Sequence, residues 1–192
     1  TDGAGSTVYG LSATDGAQTG LFLAGADTSV AANEIRLVAI SASQYEGWTD
    51  GDTTNGTKAF TVAIATGTGE ITITQHAALE HGTDGTGTAH DDSLSLSGAA
   101  ALSATVTVTD QDGDTATLTA SGTNALSISF KDDGPSAALA GTPTTASATL
   151  DETGGLGSAT ISAANVTGLF STAYGTDGAG STVYGLSATD GA

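Results

Sequence analysis

The side chains most informative about function lie in one five-residue segment, Asp110-Gln111-Asp112-Gly113-Asp114. Its carboxylates occupy alternate positions, and Gly113 permits the sharp turn that lets their oxygens converge. Carboxylate oxygens without any soft ligand favour calcium, which takes six to eight oxygen ligands in proteins. An EF-hand is excluded, because the glutamate at position twelve is missing and strand patterns replace the flanking helices. The segment predicts a calcium-binding loop, and the alternative is a solvated acidic hairpin loop.

Strand patterns surround this segment and recur along the chain. Apolar residues alternate with Thr or Ser at 103–109, 114–121 and 126–130. The same spacing occurs at Tyr9/Leu11, Leu21/Leu23, Ile35/Leu37, Phe60/Val62/Ile64, Ile71/Ile73 and Leu94/Leu96. Many short strands bounded by turn residues predict an all-β fold, an antiparallel β-sandwich. No long helix is expected, and only residues 75–80 have a pattern compatible with one or two helical turns.

The predicted strand directions bring a second acidic pair toward the loop. The strand at 103–109 runs toward the loop and the strand at 114–121 runs away from it. After a turn at 122–124, the strand at 126–130 runs back, so Asp132 and Asp133 are expected at the same end of the sandwich. Five carboxylates gathered there repel one another strongly unless a cation neutralises them.

Two further acidic groups are candidates for calcium. Asp151 and Glu152 follow the weakly patterned stretch after Pro135, and in a head-to-tail rod they would face the acidic end of the preceding unit. A calcium ion shared there would stiffen the joint; the alternative is a solvated surface pair. Glu46, Asp50 and Asp52 form the other group, although Trp48, which lies among them, is expected to pack instead.

The composition raises the question of whether the chain folds unaided. Its 192 residues include 21 acidic and 3 basic side chains, for a net charge of −18, and only 34 are Leu, Ile, Val or Phe. So few large aliphatic residues at such a charge are typical of disorder. Strand periodicity and clustered carboxylates favour folding instead, because a cation that binds only the folded state stabilises it. The sequence therefore predicts thin, Ala-rich sheets that require calcium.

Several classes of function are disfavoured. Only three basic side chains are available to neutralise phosphates, which argues against a nucleic-acid partner. No apolar run approaches the roughly 20 residues of a membrane span, and the absence of Cys rules out disulfides. The sequence lacks the G-x-S-x-G, HExxH and Walker-type motifs, and its aromatic content is 5%. The expectation is a non-catalytic protein that does not insert into a membrane.

An internal duplication suggests the organisation of the chain. The first 17 residues, TDGAGSTVYGLSATDGA, recur unchanged at 176–192, which gives a period of 175. Tandem repeats of that length suit a structural, length-setting role better than catalysis. Because Pro135 and Pro143 flank the weakest pattern, residues 1–136 are interpreted as most of one repeat unit and 137–192 as a linker and the opening segment of the next. In the alternative, 137–175 folds back onto 1–136.

Three ordered segments resemble the repeats of giant bacterial RTX-type adhesins that are exported by type I secretion. They are VTVTDQDGDTAT at 106–117, ISFKDDGPS at 128–136 and LDET at 150–153, and the element at 69–75 is also similar. One departure is Gln111, where Ala is usual. The resemblance implies a bacterial Ig-like β-sandwich with calcium-binding loops, located outside the cell on the bacterial surface.

The resemblance also implies a function and a set of ligands. Such repeats are extenders that hold a distal binding domain away from the cell, in adhesion and biofilm formation. The module would be monomeric, with neighbouring repeats of the same chain as its partners in a head-to-tail rod. The implied calcium ligands are Asp110, Asp112, Asp114, Asp132, Asp133, Asp151 and Glu152. The alternative is a ligand-binding adhesive domain, for carbohydrate or peptide, on the same fold.

Overall fold

The computed structural model describes residues 5–82, 92–142, 146–175 and 178–188. The chain divides into two compact units, a first one up to Asp132 and a second one from Asp133 onward. The strands of the first unit are β1 (Ser6–Ser12), β2 (Gln18–Phe22), β3 (Glu34–Ser41), β4 (Gln44–Thr49), β5 (Lys58–Ile64), β6 (Ile71–Gln75), β7 (Ser93–Ser95), β8 (Ser103–Thr109), β9 (Thr115–Thr119) and β10 (Ser129–Lys131). The second unit contains β11 (Ser136–Leu139), helix α1 (Ala163–Thr167) and β12 (Phe170–Ala173). Single 3-10 turns lie at Ala31–Asn33, Gly98–Ala100, Gly122–Asn124 and Glu152–Gly154.

One layer of the first unit is a five-stranded antiparallel sheet in the order β2-β3-β4-β5-β6. Alternating apolar residues of β3 and β5 point to one face of this sheet. Ile35, Leu37, Phe60 and Val62 are each fully buried there. The alternation of these residues with polar ones in the sequence predicted the strands, because every second side chain of a strand lies on the same face.

The remaining strands of the first unit cover that face. They form a three-stranded sheet, β1-β8-β9, and a two-stranded sheet, β10-β7. Their buried residues belong to the same hydrophobic cluster as those of the five-stranded sheet, and the rings of Phe60 and Phe130 meet at 5.1 Å between centroids. The fold is therefore nearly all-β with antiparallel sheets and sandwich-like, which confirms the predicted fold class.

Strand β1 connects the two layers at one edge. It pairs with β8 along its whole length, from Ser6 opposite Thr109 to Ser12 opposite Ser103. On its other side, the N–H of Tyr9 donates to the carbonyl of Thr66 and that of Leu11 to the carbonyl of Ala42, at 2.9 and 2.8 Å. Both edges of β1 are therefore occupied.

The structure differs from the sequence-based expectations in three elements. Residues 76–80 form no helical turn; Leu79 instead makes an isolated bridge with Leu23. Strand β4, which lacks apolar alternation, was not predicted, yet it is the central strand of the large sheet. The strand expected at 126–130 is confined to Ser129–Lys131 and pairs with β7.

The second unit is small and open. Strands β11 and β12 form an antiparallel hairpin, and Ser162 caps α1 by accepting the N–H of Asn165. None of its described residues is buried, and Leu139, Leu150 and Leu156 are largely exposed. In the described part of the chain, no helix is both long and apolar enough to cross a membrane. The interpretation of this segment as the opening of a following repeat stays a prediction.

Candidate metal centre

The acidic segment forms the connection between β8 and β9. These strands are antiparallel, and their last pair before the connection is Thr109 opposite Thr115. Thr107 and Thr117 hydrogen-bond through their hydroxyls at 2.9 Å, as expected for two Thr-bearing faces on paired strands. The five loop residues 110–114 therefore project from a regular hairpin, and all five are exposed.

Backbone hydrogen bonds close the loop. The N–H of Asp110 donates to the carbonyl of Asp114 at 3.0 Å, and the N–H of Gly113 donates to the carbonyl of Asp110 at 3.4 Å. The N–H of Asp114 donates to Oδ1 of Asp110 at 2.9 Å. Gly113 has a φ of +97°, a conformation that side-chain-bearing residues rarely adopt, so glycine is required at this position.

The three carboxylates of the loop converge. Asp110, Asp112 and Asp114 can each offer one oxygen such that all three oxygens lie within 4.8 Å of one another. A side-chain hydrogen bond from Asp112, which requires a protonated Asp112, lowers the pKa of Asp110. Desolvation raises it, and backbone donors of residues 112–114 lower it further, so the net shift is downward. When all three groups are ionised, their negative charges repel one another, an arrangement that a divalent cation would relieve.

The donor set fits a hard cation. Three carboxylates supply between three and six oxygens, and calcium completes a shell of six to eight with backbone carbonyls or water. No nitrogen or sulfur ligand belongs to this group of three. In the described residues, no other set of three or more acidic or histidine side chains converges in this way.

Asp132 and Asp133, which were predicted to lie beside the acidic loop, are not part of this triplet. Asp132 follows β10, and its N–H donates to the carbonyl of Asp92 at 2.9 Å. Asp133 begins the second unit, where its carbonyl lies so close to Gly175 that a Cβ there would sit 1.9 Å away. Their contribution to a metal site stays a prediction.

Asp151 and Glu152 lie in the second unit, at a 3-10 turn. The carboxylate of Asp151 accepts the N–H of Thr153 at 2.8 Å and also its hydroxyl. The side-chain hydrogen bond from Thr153, followed by its backbone bond, lowers the pKa of Asp151. Capping of the turn Glu152–Gly154 therefore gives Asp151 a local structural role. The expectation of a shared calcium ion at this pair remains a prediction.

The second candidate group, Glu46, Asp50 and Asp52 around Trp48, makes hydrogen bonds and ion pairs with other residues of the protein. Buried Glu46 accepts hydrogen bonds from Lys58 Nζ and Trp48 Nε1, both at 2.7 Å, and from Gln44 Nε2 at 3.0 Å. Burial acts to raise the pKa of Glu46, but these hydrogen bonds and the charge of Lys58 lower it overall. The Lys58 ammonium also lies 5.1 Å from the centre of the Trp48 ring. Trp48 therefore packs, as expected, and Glu46 has an ion-pair partner in place of a metal.

The two aspartates of this group have separate partners. Asp50 lies 3.5 Å from the guanidinium of Arg36. Asp52 accepts the N–H groups of Thr54 and Asn55, at 2.8 and 3.0 Å, and the side-chain amide of Asn55. The hydrogen bonds from Asn55 lower the pKa of Asp52. No local sequence pattern indicates that Lys58 reaches Glu46 from the neighbouring strand, so this contact could not be predicted.

The fold and the site define a nearly all-β protein that presents an acidic hairpin loop. A family model described as a domain of unknown function, DUF5801, matches residues 1–121, which include the sheets through β9 and the whole acidic loop. The chain belongs to this family. No curated protein and no solved structure matches the chain.

Proposed function

We propose that this chain is a non-catalytic, calcium-stabilised structural module: an extender of a repetitive bacterial cell-surface adhesin that projects a distal binding domain. The observation that carries the proposal is the convergence of three aspartates on one hairpin, Asp110, Asp112 and Asp114. The identical segments at 1–17 and 176–192 supply the repetitive character. Both features suit a rod of like units better than an enzyme.

Calcium addresses the main physical difficulty of this fold, which is its charge. The 21 acidic side chains face 3 basic ones, and two of those basic groups are in ion pairs, Arg36 with Asp50 and Lys58 with Glu46. The hydrophobic core is modest, with 16 buried apolar residues among those described, and β5 alone contributes four of them. A cation bound at the exposed loop would pin the β8–β9 hairpin and reduce repulsion at its tip.

The location that follows from this proposal is extracellular. Extracellular calcium modules bind at about 10⁻⁴ to 10⁻³ M, so the ion would be scarce before export and abundant afterwards. A chain without cysteine needs no oxidation to fold. The proposed setting is therefore an adhesin secreted through a type I system, with neighbouring repeats of the same chain as partners.

A ligand-binding adhesive domain is the alternative, and its aromatic candidates differ in availability. Tyr45 is buried, with its hydroxyl bonded to the backbone of Ala13, and the ring of Tyr9 lies against Gly69. Trp48 is held by Glu46 and Lys58. Tyr174 and Tyr184 are exposed, and both belong to the second unit. Specific binding of the fragment on glycan arrays would favour this alternative.

Calcium dependence of the full chain tests the proposal. Thermal unfolding is followed in calcium and in EDTA, with sodium chloride and magnesium chloride at matched ionic strength as controls. Calcium at about 100 times its Kd contributes about 2.7 kcal/mol per site, so chelation should lower Tm by about 10 °C. Calorimetric titration should show the same binding. An unchanged Tm together with no heat of binding would remove the calcium part of the proposal.

A further inference from the structure

The two identical segments adopt different conformations. Residues Ser6–Ser12 form β1, whereas 181–187, the same seven residues, have no strand pairing. Leu11 is 5% exposed, while its counterpart Leu186 is fully exposed. Exposure of the valine likewise rises from 49% at Val8 to 89% at Val183. A sequence that forms a paired, partly buried strand in one place therefore has an unpaired copy in another.

The residues of β1 are matched to the edge of β8. A Cβ at Gly5 would lie 1.9 Å from the carbonyl oxygen of Thr109, and one at Gly10 would lie 2.8 Å from the hydroxyl of Thr105. Only glycine fits at both positions. The second copy carries glycine at the equivalent positions, Gly180 and Gly185. It meets the same steric requirement as β1 without a single substitution.

The second copy has few contacts to give up. Its hydroxyl at Thr182 bonds to Tyr174 at 2.6 Å, and the Tyr184 ring lies 6.1 Å from that of Phe170. Thr182, Tyr184 and Phe170, together with Ile161, Val183 and Leu186, line an open apolar pocket of about 430 Å³. No described residue of the second unit is buried. Leaving this position would therefore cost little burial, and pairing as β1 does would bury Leu186 in the place of Leu11.

The second copy can pair with β8 only by taking the place of β1. Addition outside β1 is blocked, because Tyr9 and Leu11 already donate their outward N–H groups to Thr66 and Ala42. Replacement exchanges one set of contacts for an identical set, so the local free-energy difference is close to zero. Exchange of identical elements is a low-cost route to association between chains.

We propose that residues 181–187 of one molecule pair with β8 of a second copy of this chain, in the position and register of β1. The chains are thereby joined by strand exchange, and repetition of the contact extends the assembly head to tail. This association departs from the monomeric state expected of a single module, because 181–187 is identical to β1 but is unpaired. It does not depend on calcium, so its failure and that of the calcium proposal are distinguishable.

Disulfide trapping tests the exchange, since the chain contains no cysteine of its own. Thr7 pairs with Val108, and the outward N–H groups of Tyr9 and Leu11 identify this as a non-hydrogen-bonded pair. Such pairs have Cα atoms about 4.5 Å apart, which a disulfide can span. The 192-residue chain with Thr182→Cys is mixed with a differently tagged 192-residue chain with Val108→Cys. The mixture is oxidised mildly, in calcium and in EDTA.

The matched control replaces Val108→Cys with Ala116→Cys, which faces Val108 on the next strand, β9. We expect the Thr182→Cys chain to form a disulfide-linked heterodimer with the Val108→Cys chain and little heterodimer with the Ala116→Cys chain. When the Thr182→Cys chain also carries Leu186→Asp, the yield of heterodimer with Val108→Cys should fall several-fold. Leu186 is exposed, so this change leaves the fold intact. Light scattering should show concentration-dependent oligomers of the unmodified chain.

Three results would overturn the inference. One is equal cross-linking of both acceptors, and another is a preference for Ala116→Cys, which would indicate addition to the edge of β9. The third comes from a single chain carrying both Thr182→Cys and Val108→Cys: a disulfide that closes only within one monomer would place the second copy on its own β8.

Discussion

Asp110 and Asp114 hydrogen-bond to each other across the acidic loop. The N–H of Asp110 donates to the carbonyl of Asp114 at 3.0 Å, and the N–H of Asp114 donates to Oδ1 of Asp110 at 2.9 Å. The ends of the loop are thus fixed by the protein alone. The proposed cation would therefore meet a partly formed site, and less conformational entropy would be lost on binding than in an unstructured acidic segment.

The first prediction concerns removal of the loop charges by Asp112→Asn with Asp114→Asn. The increase in the free energy of unfolding that calcium provides, about 2.7 kcal/mol at 100 times Kd, should disappear. In EDTA the variant should be at least as stable as the wild type, because two mutually repelling charges are gone. Thermal unfolding in calcium and in EDTA measures both effects.

The matched control for this variant is Glu70→Gln, which removes a charge from an exposed residue outside the loop. It should keep the full calcium response. A wild-type response in the Asp112/Asp114 variant would show that the loop is not the principal site.

The second prediction concerns the buried network of Glu46. In Glu46→Gln, the amide nitrogen replaces one of the two oxygens and faces a donor on either Trp48 or Lys58, so the variant should lose about 1–3 kcal/mol at pH 7. Because the pKa of Glu46 is lowered on folding, its contribution is fully present above its unfolded pKa of about 4.3 and is lost as pH falls through the lower folded value. The gap between wild type and variant should therefore narrow on acidification.

Urea denaturation at a series of pH values from neutral to acid measures this gap. A double-mutant cycle with Lys58→Met isolates the ion pair, whose Lys58 side chain is 33% exposed. A gap that stays constant through the acid range would contradict the assignment of the effect to ionised Glu46.

Much of the fold could be predicted from the sequence, because its strands follow local periodicity. The alternation at Phe60, Val62 and Ile64 corresponds to β5, and that at Ala104, Val106 and Val108 corresponds to β8. Strand β4 has no such pattern: it buries Glu46, Gly47 and Tyr45 together. Its placement depends on partners from other strands, Lys58 for Glu46 and Phe60 for Gly47, which no local pattern records.

The candidate site was predictable for the same reason, in part. The convergence of Asp110, Asp112 and Asp114 follows from their spacing around Gly113 within one hairpin. The placement of Asp132 depends on the pairing of β10 with β7, a choice of partner strand. The duplicated segment shows most clearly what local sequence cannot predict. Residues 6–12 and 181–187 are identical, and only the tertiary environment distinguishes their conformations.

The third prediction concerns the close approach of β4 and β5. A Cβ at Gly47 would lie 2.4–2.8 Å from ring carbons of the fully buried Phe60. Gly47→Ala should therefore force the ring or the backbone to move, at a cost of about 1–3 kcal/mol. Gly67→Ala is the matched control, because nothing lies within 4 Å of that position and its φ is not positive. Chemical denaturation of both variants should separate them, and equal stabilities would contradict the observed packing.

The last prediction compares the same substitution in the two identical segments. Leu11→Ala removes a buried side chain and should cost about 2–5 kcal/mol. Leu186→Ala alters an exposed side chain and should change the free energy of unfolding by about 0.5 kcal/mol or less, measured at concentrations where the chain is monomeric. The sequence context of the two leucines is the same from ten residues before to six residues after, so local propensity cancels in the comparison. Equal losses would show that 181–187 is buried within its own monomer, whereas a loss at Leu186 that grows with protein concentration is the result expected from strand exchange between chains.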